Sequence, residues 1–144
     1  MNGSGSTRPV FVDPSVLLLA IGSPHAWRAP CRAVLEAASS GALRLNLSVE
    51  GGQEFLFHRL RRVDRAQALS EFALLDTLAT WHPFDVDILH ASRDLVASGL
   101  ARGRDAVHIA TALHHGFSQI ISCDADFDHV PGLRRLDPVT DRLG

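Results

Sequence analysis

Apolar positions in this chain alternate between short unbroken runs and helical spacing, and the changes fall at Gly, Pro, Ser and Asp. Val10-Phe11-Val12 is a β-branched and aromatic run that stops at Asp13-Pro14, and a second apolar stretch covers Val16 to Ile21. This predicts a buried strand running into a helix. Asp13 suits the cap and Pro14 the first helical position. Gly22-Ser23-Pro24 breaks that helix, and Cys31, Val34, Leu35 and Ala38 predict another that ends before Ser39-Ser40-Gly41. Leu43, Leu45, Leu47 and Val49 alternate with Arg44, Asn46 and Ser48, the period of a half-exposed strand.

From Glu50 to Arg62, Phe55, Leu56, Leu60 and Val63 form an imperfect helical stripe whose first turn Gly51-Gly52 weakens. Ala66 to Leu78 predicts a helix with Leu69, Phe72, Ala73 and Asp76 on successive turns, and Trp81 to Phe84 a short strand or link. Asp85 caps a further helix whose stripe is Val86, Leu89, Arg93, Val96 and Leu100, with Gly99 near its end. Ala106, Ile109, Ala110 and Leu113 predict a short helix stopped at Gly116. Gln119 to Ser122 is a buried strand ending at Asp124, and Leu133 to Leu136 an edge strand closed by Pro138. Strands alternating with helices imply a mainly parallel sheet covered on both faces, a three-layer α/β/α sandwich. The domain spans residues 10–138, with tails at 1–9 and 139–144.

Composition narrows the class. A length of 144 residues suits one domain, and 46% hydrophobic against 21% charged residues is a globular profile. The run from Val16 to Ile21 is the longest apolar one, far short of the roughly 20 residues a membrane span needs. Met1 to Pro9 lacks the apolar core of a secretory signal. Cys31 and Cys123 stand far apart and without metal-ligand spacing, so they predict buried thiols in a reducing cytoplasm. A net charge of −2 argues against a general basic surface for nucleic acid, so a phosphate target would require a metal to supply charge. Arg accounts for all 14 basic residues, which suits planar, bidentate contacts.

The candidate chemistry lies in scattered carboxylates. Asp13 and Asp124 fall at the carboxyl ends of predicted strands, where parallel sheets gather ligands, and Asp105 opens a helix. Singly, each suits a cap, a first-turn acid or a polar turn. Jointly, they would repel one another unless a divalent cation sat among them. Hard oxygen ligands select Mg²⁺ or Mn²⁺, and hydrolysis of a phosphate ester is the natural reaction.

The ordered set of motifs resembles the PIN domain, and more narrowly the VapC-type ribonuclease toxins of bacterial toxin–antitoxin pairs. It comprises strand-Asp13 before a helix, Ser48 and then Glu54-Phe55-Leu56, Arg104-Asp105-Ala106 opening an Ala/Ile-rich helix, and Ser122-Cys123-Asp124-Ala125-Asp126-Phe127. The resemblance runs from about Val10 to Pro138. It implies that Asp13, Glu54, Asp105 and Asp124 form a metal-binding acidic quartet. Asp126 matches a further acid of the last motif, and Ser122 the small hydroxyl residue before it. Glu50, one turn before Glu54, precedes two glycines and is left as a cap or secondary ligand. The resemblance further implies Mg²⁺- or Mn²⁺-dependent cleavage of RNA, a homodimer, and a VapB-type antitoxin that blocks the acidic groove.

Other polar residues carry less. Arg59, Arg61, Arg62 and Arg65 suit a solvated helix face ahead of a phosphate track, and Arg104 either pairs with an acid or meets phosphate. His82, His90, His108, His114 and His115 show no ligand spacing and are assigned to the surface or to caps. The rival classes are a PIN-like binding module with a disabled site and a receiver-like phosphorylation domain. The first expects a missing acid, and the second needs a Lys that this chain lacks.

Overall fold

The computed structural model describes residues 6–143. Along the chain run β1 (Arg8–Val12), α1 (Pro14–Ile21), α2 (Arg28–Ser39), β2 (Leu43–Ser48), α3 (Val49–Leu60), α4 (Arg65–Leu78) and β3 (Ala79–His82). There follow α5 (Val86–Ala97), α6 (Gly103–His114), β4 (Gln119–Ile121), a 3₁₀ turn (Ala125–Phe127) and β5 (Arg134–Leu136). Every strand pairing is parallel, in the order β3-β2-β1-β4-β5. The chain builds outward from β1 to β3, then crosses back to place β4 on the other side of β1. That reversal opens a crevice beyond the carboxyl ends of β1 and β4, where open parallel sheets hold their ligands.

Successive strand residues point to opposite faces, and both faces of this sheet are covered. Val10 and Val12 join Leu43, Leu45 and Leu47 in a cluster with Val16, Leu17, Val34, Phe55 and Leu75 from α1 to α4. Phe11 and Ile120 pack with Ile109 and Ala112 of α6 on the other side. The expected three-layer sandwich is therefore the observed one. Among the described residues, no helix is long and apolar enough to cross a membrane.

Several local expectations change. β1 begins at Arg8, inside the tail expected over residues 1–9, of which 1–5 lie outside the described residues. At the other end, Arg8 Nη1 donates to the Leu143 carbonyl at 2.7 Å, so the segment expected as a C-terminal tail returns to β1. β2 is not half-exposed, because Asn46 and Ser48 are buried alongside its leucines. Their polar atoms are satisfied: Asn46 contacts His82 Nε2 at 2.9 Å, and the Ser48 hydroxyl accepts from Glu50 N at 3.1 Å to cap α3. On α4, Ala68 and Leu75 face inward while Leu69 is exposed. On α5, Ile88, Ala91 and Leu95 pack on Val107 and Ala110, leaving Val86, Leu89 and Val96 outward. Both faces of α5 carry apolar residues, so periodicity chose a stripe that tertiary packing did not.

The two cysteines, distant in sequence, meet in space. Cys31 on α2 is buried and its Sγ lies 3.5 Å from that of half-buried Cys123, just past β4; both are free thiols.

Gly51 and Gly52 let α3 approach its neighbours, but differently. A Cβ on Gly51 would meet His108 Cε1 and Pro14 Cγ at an ordinary 3.6 Å, whereas one on Gly52 would meet Trp81 Cζ3 at 2.9 Å. The Trp81 ring is held, stacked on Phe72 at 5.9 Å and donating to Asp76 Oδ1 at 2.7 Å. Opposite signs are expected in urea unfolding. Gly51→Ala should stabilise by about 0.5–1 kcal/mol through reduced backbone entropy, and Gly52→Ala should destabilise by about 1–3 kcal/mol through overpacking.

Candidate active site

Asp13 occupies the end of β1, where its backbone N–H donates to the Ile121 carbonyl at 2.9 Å and so joins β4. Its side chain caps α1, accepting from Ser15 N at 3.3 Å, and is only 4% exposed. Two hydroxyls make that burial tolerable: Ser15 Oγ donates to Asp13 Oδ2 at 2.6 Å and Ser122 Oγ at 2.8 Å. Burial still pushes the carboxyl above its ordinary range, against the opposing pull of Ser15, His108 and Ser122.

Ser122 organises the last motif as well. Its hydroxyl accepts from Asp124 N at 3.0 Å, and Asp124 Oδ1 in turn accepts from Asp126 N at 2.9 Å to cap the 3₁₀ turn. Arg135, not foreseen from sequence, braces this loop. Its Nη1 donates to the Ser122 carbonyl at 3.0 Å, while Nε and Nη2 grip the Asp128 carboxylate at 2.6 and 3.2 Å.

Asp105 lies in the first turn of α6, half-buried. Burial, followed by the charges of Asp13 and Asp124, pushes its carboxyl up to about 6. Glu54 on α3 behaves oppositely. Burial would raise it, but His108 at 3.5 Å and Arg104 at 4.0 Å outweigh that and hold it below the usual carboxylate range. Glu50 sits beside exposed Arg104, with Oε1 3.4 Å from its Nε.

Oxygen and nitrogen donors gather in two groups. Asp13, Glu54 and His108 each place one within 4.8 Å of the others, and Asp105, Asp124 and Asp126 do likewise. Glu50 belongs to neither. The assignment of His108 to surface or cap is overturned: it is 1% exposed, and its Nε2 has no hydrogen-bond partner. The one signal in the sequence was its place three residues after Asp105, on the same side of α6. The His82 ring lies 4.2 Å from that of His115 at a tilt of 36°, and His114 and His115 stand at the far end of α6. Arg59 is also not a solvated or phosphate-tracking residue. It is buried in a paired contact with Glu71, Nε to Oε1 at 2.7 Å and Nη2 to Oε2 at 3.1 Å. Arg61, Arg62 and Arg65 remain exposed.

Crowded carboxylates beside an orphaned, buried imidazole nitrogen form a donor set that a divalent cation fits. The PIN domain family model matches residues 10–133. The chain belongs to the PIN domain family. Within that family, Ribonuclease VapC13 of Mycobacterium tuberculosis is 31% identical over 130 residues, spanning 88% of this chain and 98% of the relative. The PIN fold is also that of solved toxin structures. The Mycobacterium tuberculosis toxin VapC20, described as cleaving the sarcin–ricin loop, aligns with a TM-score of 0.67 at 19% identity, covering 82% of this chain and 92% of its own. VapBC2 of Rickettsia felis, bound to a promoter DNA fragment, gives 0.66 at 13%, covering 90% and 98%.

In this PIN domain, a carboxyl that titrates near 6 when folded and near its ordinary 3.8 when unfolded keeps protons that the unfolded chain has shed. Without cations, stability should therefore fall as pH rises from about 4 to about 6. In EDTA at about pH 7.5, Asp105→Asn should unfold at higher temperature than wild type. Solvent screening of a half-buried group keeps the gain to about 1 kcal/mol, and it should vanish near about pH 4. A variant less stable than wild type at both pH values would show that burial and the neighbouring acids do not penalise the ionised Asp105 carboxylate.

Proposed function

We propose that this protein is a Mg²⁺- or Mn²⁺-dependent endoribonuclease, the toxin of a toxin–antitoxin pair, which hydrolyses RNA phosphodiester bonds and thereby inhibits translation and growth. The observation that carries this is the gathering of Asp13 with Glu54, and of Asp105 with Asp124 and Asp126, in the crevice of a PIN fold. The 31% identity to a VapC ribonuclease across nearly the whole chain supports the same activity.

In this reading Asp13 and Glu54 on one side, and Asp105 and Asp124 on the other, supply the metal ligands, with Asp126 as a further one. When bound, the cation supplies positive charge against the phosphodiester and a lowered pKa for water. Ser122 and Ser15 fix the Asp13 carboxylate in one orientation, so no reorganisation is needed when substrate arrives. The lowered pKa of Glu54 keeps it charged at neutral pH. Arg104, exposed at the rim, is placed to meet a substrate phosphate, with Glu50 holding it back in the free protein.

The setting is the cytoplasm, and the partner is a VapB-type antitoxin that occludes the acidic crevice. A second copy of the chain is the further partner, and the outward Val86, Leu89 and Val96 of α5 supply apolar surface for such contacts.

Cleavage of total cellular RNA with Mg²⁺ or Mn²⁺ tests the activity. Wild type should cut and EDTA should stop it, while Asp13→Asn and Asp105→Asn should each lose roughly a hundredfold or more of the rate. Intact RNA with either metal, together with normal growth on expression, would favour a PIN-like module that acts by binding alone.

A further inference from the structure

We propose that His108 is itself a metal ligand, its Nε2 joining Asp13 and Glu54 around one cation, so that the site prefers Mn²⁺ to Mg²⁺. The inference rests on the reading of the crevice as a cation site and adds a nitrogen donor to it. Its starting point is an unsatisfied atom. His108 Nε2 is buried without a hydrogen-bond partner, a condition that is unfavourable when nothing offsets it. Such atoms are rare in folded proteins and usually mark a missing ligand, ion or water.

The atom faces a suitable place. Its nearest acidic neighbour is Glu54 Oε1 at 3.5 Å, too long for a firm hydrogen bond. The donor atoms of Asp13, Glu54 and His108 all lie within 4.8 Å of one another. Ligands on one ion at about 2.1 Å stand up to about 4 Å apart, so small rotations of the flexible Glu54 side chain suffice.

The ring is also held in position. His108 belongs to the inward face of α6, flanked by buried Val107 and Ile109. Gly51 of α3 lies against it, since a Cβ there would come 3.6 Å from His108 Cε1. Asp13 is equally fixed by its two serines, so only Glu54 must adjust. A rigid imidazole beside rigid and mobile carboxylates changes the donor set from all-oxygen to mixed. Mg²⁺ gains little from nitrogen, whereas first-row transition ions bind imidazole well.

Full-length protein stripped with EDTA and loaded with Mn²⁺ alone gives a readout independent of activity, by electron spin echo envelope modulation. Wild type should show coupling to a directly bound imidazole ¹⁴N. In His108→Asn, whose shorter side chain cannot reach the same point, the coupling should vanish. Calorimetry should then show Mn²⁺ affinity reduced roughly tenfold or more, with Mg²⁺ affinity nearly unchanged. Mn²⁺ bound by wild type without ¹⁴N coupling would overturn the proposal, and that spectrum does not depend on the variant folding. An unchanged Mn²⁺ to Mg²⁺ preference in a folded variant would overturn it too. If RNA is still cleaved in either case, the ribonuclease reading stands and only His108 ligation fails. If Mn²⁺ does not bind at all, both fail.

Discussion

The hydrogen bond from Ser122 Oγ to Asp13 Oδ2 spans 109 residues of sequence and 2.8 Å of space, and the crevice depends on it. A carboxylate as buried as Asp13 would otherwise be pushed strongly toward its neutral form. The same hydroxyl accepts from Asp124 N, so one atom orients acids at the ends of both β1 and β4. Arg135 holds the Ser122 carbonyl from the other side, tying that atom to β5. The register Phe11↔Ile120 and Val12↔Ile121 brings the two strand ends level, which makes this bond geometrically available.

Around that bond the protein concentrates negative charge at a cost in stability. Asp13 and Asp105 are raised and Glu54 is lowered, although all three line one crevice. Burial pushes all three up, and at Asp13 it outweighs the donors that oppose it; the contrast between Glu54 and Asp105 follows from neighbours. Glu54 has Arg104 and His108 beside it, while Asp105 has mostly other acids. A site that leaves carboxylates uncompensated in the free chain is poised for a positive ligand. Stability given up in this way is common where function needs a strained or charged surface.

Much of the frame was legible because its signals are local. The β-branched run ending at Asp13-Pro14 specifies a strand, a cap and a helix start within a few residues, and Ala106 to Leu113 with Gly116 does the same for α6. The failures came where two local answers competed. On α5 both Val86-Leu89-Val96 and Ile88-Ala91-Leu95 have helical spacing, and only packing against α6 chose between them. Asn46, Ser48 and Arg59 looked like surface residues because polar side chains usually are. Asn46 and Arg59 are buried because distant partners satisfy them: His82 for Asn46, and Glu71 for Arg59. Ser48 instead turns inward to cap α3.

By itself the sequence determined a single α/β domain, its parallel sheet, and the places where Asp13, Asp105 and Asp124 stand at element ends. These depend on runs of a few residues, which backbone preferences and burial read directly. Only the tertiary structure decided that His108 turns inward to join Asp13 and Glu54, and that Cys31 touches Cys123. Those contacts are set by how α3 packs on α6 and α2 on the loop after β4. Helix packing depends on the fit of many side chains at once, and no short stretch of the chain encodes it.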